Sequence, residues 1–594
     1  MPMATARFAA VVPLRKLPPN RSRFTYRIPD ELAVNIIVGS FVRIPFMRSI
    51  VDGVVLDIAA DPYMEAKDIA HAYGTGLTAM QVALVKHLAQ QYYQSPATII
   101  HSFIAALPRR GEIVAVQHAA AAPAPTPASY EYCIAHRVRD IQDIIREKIA
   151  AQSSGQTAVI IPEYAWLPSI KEALQQQQPL IIPPKTGRRE FFQAWQRSST
   201  AAVVIGGMHA LFLPYSQLRQ IIIVEAEHQG FKKAEQNPRY HLADFILDVA
   251  ARYGAHLTLT GFSPDIRLVA AGRTVGSTLS ERGRAAAPLS VVDMQEERRA
   301  GSYHPLSHVV QEVLQRKKQR ILFLSNRRGD ARITRCADCG FVVKCDRCDR
   351  PLVQLQRGNQ LDCLACGTHA SVPTQCPQCK GVTLQSRGNG IAAIARSIQK
   401  LIPDRAVSIY SRDADTLPTD AAVVVATNKI FSLPHLQFDV AVVVNADDEL
   451  QLPNLYAAEQ TRSHIMKLRS RANEVFVQTY SPSQYCFQTL DSTKDFLAAE
   501  LAWRKRLGYP PFGMLITVTV KTTHQAALAE PRARLQQHFA NVHPYGPFTL
   551  VKARHYEAQI VIKVPTITPE LDAVLRCAYT WSHIEINPYE LGTA

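Results

Sequence analysis

Four Cys-x-x-Cys pairs lie close together in the second half of this chain: Cys336/Cys339, Cys345/Cys348, Cys363/Cys366 and Cys376/Cys379. Each pair is a knuckle that can give two thiolates to one tetrahedral Zn²⁺, and two knuckles close a four-sulfur site. Eight sulfurs therefore predict two Zn²⁺. Neither site leaves an open coordination position, so both ions are structural. Coincidental reduced cysteines would not fall into four evenly built pairs, and iron–sulfur proteins use different spacings. The first two knuckles are too close in sequence to fold a hairpin between them. The stretch after Cys348 has room for one: Leu352–Leu355, a turn at Arg357-Gly358-Asn359, then Gln360-Leu361. Cys345, Cys348, Cys363 and Cys366 are thus expected to share one ion, leaving Cys336, Cys339, Cys376 and Cys379 for the other. Cys133, Cys486 and Cys577 stand alone and read as buried structural thiols.

Metal ligation rather than disulfide formation suits a reducing compartment. Met1 to Leu14 carries one arginine and no cleavage site after an apolar core, which argues against a secretory signal. No run of about 18 apolar residues occurs, so no membrane span is expected. The expected place is the cytoplasm. The formal net charge of +16 suits a polyanionic partner, because each phosphate neutralised releases counterions.

At 594 residues the chain exceeds one core and predicts several domains. Phe8 to Leu56 has short alternating apolar runs, as a small β domain does. Leu77 to Leu107 has helical periodicity through Leu84, Leu88, Tyr92, Ile99, Ile100 and Phe103. Ala119 to Ser129, with proline alternating, is an extended linker. The body then alternates Val/Ile runs with helical stretches. Strands are expected at 158–162, 201–205, 220–224 and 256–260, then at 320–324, 407–410, 422–426, 440–445 and 475–478. Continuous apolar runs of this kind are buried parallel strands, which makes two α/β lobes with the cysteine block between them. After Leu501 an α+β unit follows.

Several strings go beyond these generic patterns. Asn326-Arg327-Arg328-Gly329 precedes the cysteine block, and Pro373-x-x-Cys376-Pro377-x-Cys379 then Gly388-Asn389-Gly390 close it. Pro238-Arg239-Tyr240-His241, Leu452-Pro453-Asn454 with Ala457-Ala458-Glu459, and Leu507-Gly508-Tyr509-Pro510-Pro511-Phe512-Gly513 follow in order, and Val42-Arg43-Ile44-Pro45-Phe46 lies at the front. Together they resemble the primosomal protein N′ (PriA) family of replication-restart helicases over nearly the whole chain. The resemblance implies a multidomain α/β protein. A 3′-end-binding β domain (1–70) and a winged helix (71–118) would be followed by the linker (119–129). A first RecA-like lobe of superfamily 2 helicase type (130–300) and a second (301–335 and 381–500) would flank the double zinc-ribbon insertion (336–380), with a C-terminal α+β domain (501–594). It implies recognition of stalled forks and D-loops by structure. The partners it implies are other primosome proteins, single-stranded-DNA-binding protein and the replicative helicase or its loader.

The ATP- and Mg²⁺-dependent motor of that family is not legible here. A phosphate-binding loop needs Gly-x-x-x-x-Gly-Lys-[Ser/Thr], whose backbone amides cradle phosphates and whose lysine reaches the β/γ oxygens. No such string occurs; its slot holds Ala135-His136-Arg137-Val138-Arg139-Asp140-Ile141. The family's Asp-Glu-Glu-His reads Glu225-Ala226-Glu227-His228. The first position keeps a carboxylate for Mg²⁺, but Ala226 cannot orient or deprotonate water. The final arginine motif reads Arg469-Ser470-Arg471-Ala472-Asn473, with Arg471 as the surviving arginine. The front Phe-Asp-Tyr of the 3′-end pocket reads Phe24-Thr25-Tyr26. The expected function is therefore a fork-binding restart scaffold without ATP-driven unwinding. The alternative is an active 3′–5′ helicase with an atypical nucleotide site. Arg327, Arg328, Lys232 and Lys233 are candidate phosphate contacts, and Tyr240 and His241 candidate base contacts, each against the plainer alternative of a solvated or packed side chain.

Overall fold

Short runs of β-branched residues bounded by polar turns form parallel strands that are buried on both faces, and two sheets are built this way. The computed structural model describes residues 7–588 apart from 16, 18–21, 60–65, 104–128, 183–187, 234–238, 276–277, 284–285, 317, 326–331, 337–340, 342, 347–351, 355–359, 363–367, 388–390, 413–415, 419, 451–454 and 552–554. Most of the linker and Arg327 and Arg328 lie outside the described residues.

The first lobe is a seven-stranded, all-parallel sheet. Its order is Thr278–Arg282, Tyr130–Ala135, His256–Gly261, Leu218–Ile223, Gln156–Ile160, Val203–Gly206 and Leu180–Ile181. The second is six-stranded and also parallel: Leu289–Asp293, Ala472–Thr479, Phe438–Val443, Ile321–Leu324, Val423–Ala426 and Val407–Tyr410. Parallel sheets covered by helices on both faces are the α/β architecture of RecA-like lobes. Every strand expected in the body is present, with small shifts at the ends. The second lobe begins earlier than residue 301, because Leu289–Asp293 already pairs with its edge strand Ala472–Thr479.

Alternation along one strand shows how the lobes are joined. Val424 and Ala426 point into a core shared with the first lobe, while Val423 and Val425 point into a core of the second lobe alone. The shared core also takes in the front helices Ala79–Gln91 and Pro96–Phe103 through Leu84, Leu88 and Ile99. Thr78 caps the first of these helices by accepting from the Gln81 amide, and the Gln81 side chain donates to the Phe212 carbonyl of the first lobe at 2.6 Å.

The front sheet is antiparallel, ordered Phe24–Ile28, Arg7–Pro13, Ser49–Ala59, Ser40–Phe46, His71–Gly76. Its fifth strand falls beyond residue 70. The cysteine block forms a five-stranded sheet in which Val353–Gln354 and Gln360–Asp362 pair antiparallel, the two arms of the hairpin read from the sequence. The C-terminal unit is a four-stranded antiparallel sheet with helices Ala529–His538 and Pro569–Ala578 and a core of its own, which Tyr93 from the front module joins. The Tyr93 hydroxyl donates to Asp572 at 2.7 Å.

Candidate functional site

In open parallel sheets, ligands bind beyond the carboxyl ends of the strands. In the first lobe that edge carries both stretches singled out above. Strand Tyr130–Ala135 leads into helix Val138–Ala151 through His136 and Arg137 alone. A helix N-terminus reached from a strand is a ready anion site, because its first amides are unsatisfied. Here the helix supplies its own anion. The Asp140 carboxylate accepts from the His136 amide at 3.0 Å and the Arg137 amide at 2.7 Å. It also packs against Gly283, where an added Cβ would lie 2.1 Å from Asp140 Oδ2. The Arg137 side chain turns away from the helix and donates to the Ala472 carbonyl of the second lobe at 2.7 Å.

Strand Leu218–Ile223 ends at the second stretch. Glu225 has a left-handed backbone, φ 55°, and its side chain is fully buried. The Trp166 indole N–H donates to one carboxylate oxygen at 2.9 Å. The Lys467 ammonium, on helix Ala457–Arg469 of the second lobe, lies 2.7 Å from the other. Burial pushes the Glu225 pKa up, but the Lys467 and Arg471 cations outweigh it and hold the carboxyl below its ordinary value. The position expected to approach Mg²⁺ is thus committed to a lysine. Ala226 is buried, with its amide donating to the Thr260 carbonyl at 2.8 Å. Glu227 caps a turn: its Oε1 accepts from the Phe262 and Ser263 amides at 2.8 and 3.2 Å. Burial pushes its pKa to about 8, so it is largely protonated at neutral pH. Burial likewise drives His228 down to about 3. Arg471 is buried and donates to the carbonyls of Ile430, Phe431 and Leu433 within its own lobe.

The seam continues beside this pair. Glu459 of the second lobe accepts from the Ile266 amide, at the head of first-lobe helix Ile266–Val275, at 3.0 Å, and from Arg504 at 2.7 Å. Tyr456 lies between two guanidiniums, Arg267 and Arg504, each 5.1 Å from its ring centroid. Arg504 belongs to helix Thr493–Leu507, so the two lobes and the entry to the C-terminal unit meet at one point.

In the cysteine block, the thiols of Cys336, Cys376 and Cys379 all lie within 4.8 Å of one another. The Cys336–Cys379 sulfur separation is 3.6 Å, close to the roughly 3.8 Å edge of a tetrahedron with Zn–S bonds of about 2.3 Å. These residues could hold a metal ion. Cys345 is buried, whereas Cys339, Cys348, Cys363 and Cys366 lie outside the described residues. Of the isolated cysteines, Cys133 and Cys486 are buried, but Cys577 is exposed, a correction to its reading as a buried thiol.

Two candidate base contacts are corrected as well. Tyr240 is 5 % exposed and packs against Tyr92 and Phe245, and His241 is 7 % exposed and receives a bond from Arg267. Neither ring faces outward. They sit on a two-residue strand paired with Lys232–Lys233, which draws both into the first lobe. Lys232 is half-buried, and the Lys233 side chain lies outside the described residues. Asp140, Trp166 and Lys467 shape the site without having been assigned a part in it from the sequence. Asp140 had one local signal, three residues after the helix N-cap, where an acidic side chain reaches back to amides.

Residues 11–105 match the family description 3′ DNA-binding domain (3′BD) of PriA, spanning the front sheet and both front helices. Replication restart protein PriA of Bacillus subtilis is 28 % identical over 477 residues, 72 % of this chain and 58 % of that protein. The Haemophilus influenzae protein of the same name is 24 % identical over 456 residues, 70 % of this chain and 62 % of that one. The matched stretches thus span about three-fifths of these relatives' own length. Among solved structures, S. cerevisiae Dbp5 bound to RNA and ADP BeF3 superposes with a TM-score of 0.32 at 11 % identity, over 73 % of this chain and 98 % of that one.

Proposed function

This chain is a relative of the PriA replication restart proteins, and on that premise we propose that it binds branched DNA at stalled forks and helps assemble the primosome without ATP-driven unwinding. The observation that carries this reading is the two-residue turn before helix Val138–Ala151: where a phosphate loop would lie, only His136 and Arg137 intervene, and the Asp140 carboxylate accepts from both their amides. The Glu225–Lys467 pair supports it, because a metal-binding carboxylate cannot serve Mg²⁺ while neutralised by a buried ammonium. Phosphoryl transfer depends on positioning and charge stabilisation, so losing the cradle, the Mg²⁺ carboxylate and the water-activating glutamate together removes the means of catalysis.

The lobes then act as a fixed frame. Arg327, Arg328, Lys232 and Lys233 are proposed phosphate contacts, which position the chain on DNA without reading its sequence. The front domain presents the DNA end, with exposed Thr25 in place of an aspartate, so end recognition is weaker than in the family. Two structural Zn²⁺ hold the cysteine insert, one on Cys336, Cys339, Cys376 and Cys379 and one on Cys345, Cys348, Cys363 and Cys366. Single-stranded-DNA-binding protein and the replicative helicase or its loader are the proposed protein partners. No described helix is long and apolar enough to cross a membrane.

The test pairs two measurements on the zinc-loaded chain. Phosphate release from ATP is followed with and without a branched fork, and fork affinity is compared with that for linear duplex. No turnover with preferential fork binding supports the scaffold. Fork-dependent turnover overturns it.

A further inference from the structure

Helix Thr493–Leu507 has two unlike faces at its carboxyl end. Arg504 is buried against Glu459 and Glu500. On the outer face Trp503, Lys505, Arg506 and Leu507 are all exposed. Gly508, at φ +59°, ends the helix with a left-handed turn, after which Pro511 and Phe512 return to the surface. Trp503 is 48 % exposed and Phe512 42 %. The Arg506 guanidinium lies over the Trp503 ring, 5.5 Å from its centroid.

The charge on this face has one sign. Between Ala498 and Gly513 the only acidic residue is Glu500, and it is buried against Arg504. The exposed end of the helix therefore offers the Trp503 indole with the Arg506 guanidinium over it, and Lys505 on the adjoining flank, with no competing carboxylate of its own segment. The buried Arg504 pairs make its placement rigid.

Aromatic faces flanked by cations are the chemistry that binds single-stranded nucleic acid: bases stack on the rings and phosphates meet the cations. Duplex DNA hides its base faces, whereas an unpaired strand exposes them. We propose that Trp503, with Lys505 and Arg506, is a stacking site for an unpaired base of single-stranded DNA. This rests on the DNA-binding reading above and adds where an unpaired strand is held. A peptide with apolar and acidic side chains is the competing occupant, and the test separates the two.

The full, zinc-loaded chain is titrated with a fluorescently labelled oligodeoxythymidylate. Affinity is read from anisotropy and stacking from intrinsic tryptophan emission. Trp166 and Trp195 are buried and Trp581 is half-buried, so Trp503 is the most exposed reporter. Binding is expected to quench the emission. Trp503→Ala is expected to weaken binding about tenfold and remove most of the quenching, while Trp503→Phe keeps most of the affinity. Lys505→Ala with Arg506→Ala is expected to lower the slope of log K against log salt by about 1.4. Circular dichroism confirms that the variants fold. If the wild-type chain binds the oligonucleotide but Trp503→Ala binds equally well with the same quenching, the proposal is overturned and the face becomes a candidate for peptide docking. If the wild-type chain binds neither the oligonucleotide nor a fork, the DNA-binding reading fails and takes this one with it.

Discussion

The Lys467 ammonium lies 2.7 Å from the Glu225 carboxylate across the seam of the two lobes, and the two side chains are 3 % and 0 % exposed. A buried pair of this kind adds little net stability over well-packed apolar residues, but losing one partner strands a charge. The pair therefore sets the lobes in one relation and penalises any opening that exposes one charge without the other.

Lys467→Met leaves Glu225 buried beside Trp166 without its cation. The expected loss is about 3–5 kcal/mol of stability. Adding Glu225→Gln, which removes the stranded charge and keeps an acceptor for the Trp166 N–H, is expected to recover much of it. Urea unfolding of both variants measures this, and a Lys467→Met chain as stable as wild type would show that the ion pair is dispensable.

Glu227 carries the opposite pH signature to Glu225. Its folded pKa, about 8, lies above the ordinary glutamate value, so the folded state holds a proton that the unfolded chain releases. Its contribution is fully present below about pH 4.3 and is lost as pH rises through 8. Glu227→Gln keeps a neutral side chain at every pH. The stability of the wild-type chain relative to this variant is expected to fall by roughly a few kcal/mol between pH 5 and pH 9. Melting curves across that range test it; a constant difference would mean that Glu227 is ionised at neutral pH.

The two proposed zinc sites are expected to release separately. Full thiol modification should liberate two Zn²⁺ per chain, read with a colorimetric chelator, and Cys376→Ser should retain one because the second site uses other knuckles. One ion from the wild-type chain, or none from Cys376→Ser, would break the pairing.

Ala226→Glu restores the family's carboxylate without reopening the cradle. With Asp140 still on the His136 and Arg137 amides, fork-stimulated phosphate release is expected to stay at background. Turnover by this variant would mean that nucleotide enters the cleft despite Asp140.

What could be read from the residues followed burial. Gln156–Ile160 and Val423–Ala426 are buried on both faces, so their apolar runs announced them. Thr278–Arg282 is a mostly exposed edge strand of mixed polarity and left no such trace. Tyr130–Ala135 has no continuous apolar run, because Glu131 interrupts it, although it leads into helix Val138–Ala151. That residues 135–141 hold no glycine is plain from the sequence; that Asp140 bonds the His136 and Arg137 amides is not, since a missing motif does not say what takes its place. Glu225 and Lys467 are far apart in sequence, and only the packing of one lobe on the other brings them together. Tyr240 and His241 carried no signal that separates a stacking ring from a packed one, and the short strand pairing decided it.

The Asp140 bonds and the Lys467–Glu225 pair have a consequence beyond mechanism. Under the scaffold reading, single substitutions would not open this edge to a nucleotide. Freeing the amides of His136 and Arg137 means discarding Asp140, whose reach back from the third helical position holds the turn, at a cost of about 1 kcal/mol. Releasing Glu225 for a metal means discarding Lys467, with the larger cost already given. Each such step loses stability before any phosphate can bind, so under the proposed scaffold reading the arrangement works as a ratchet.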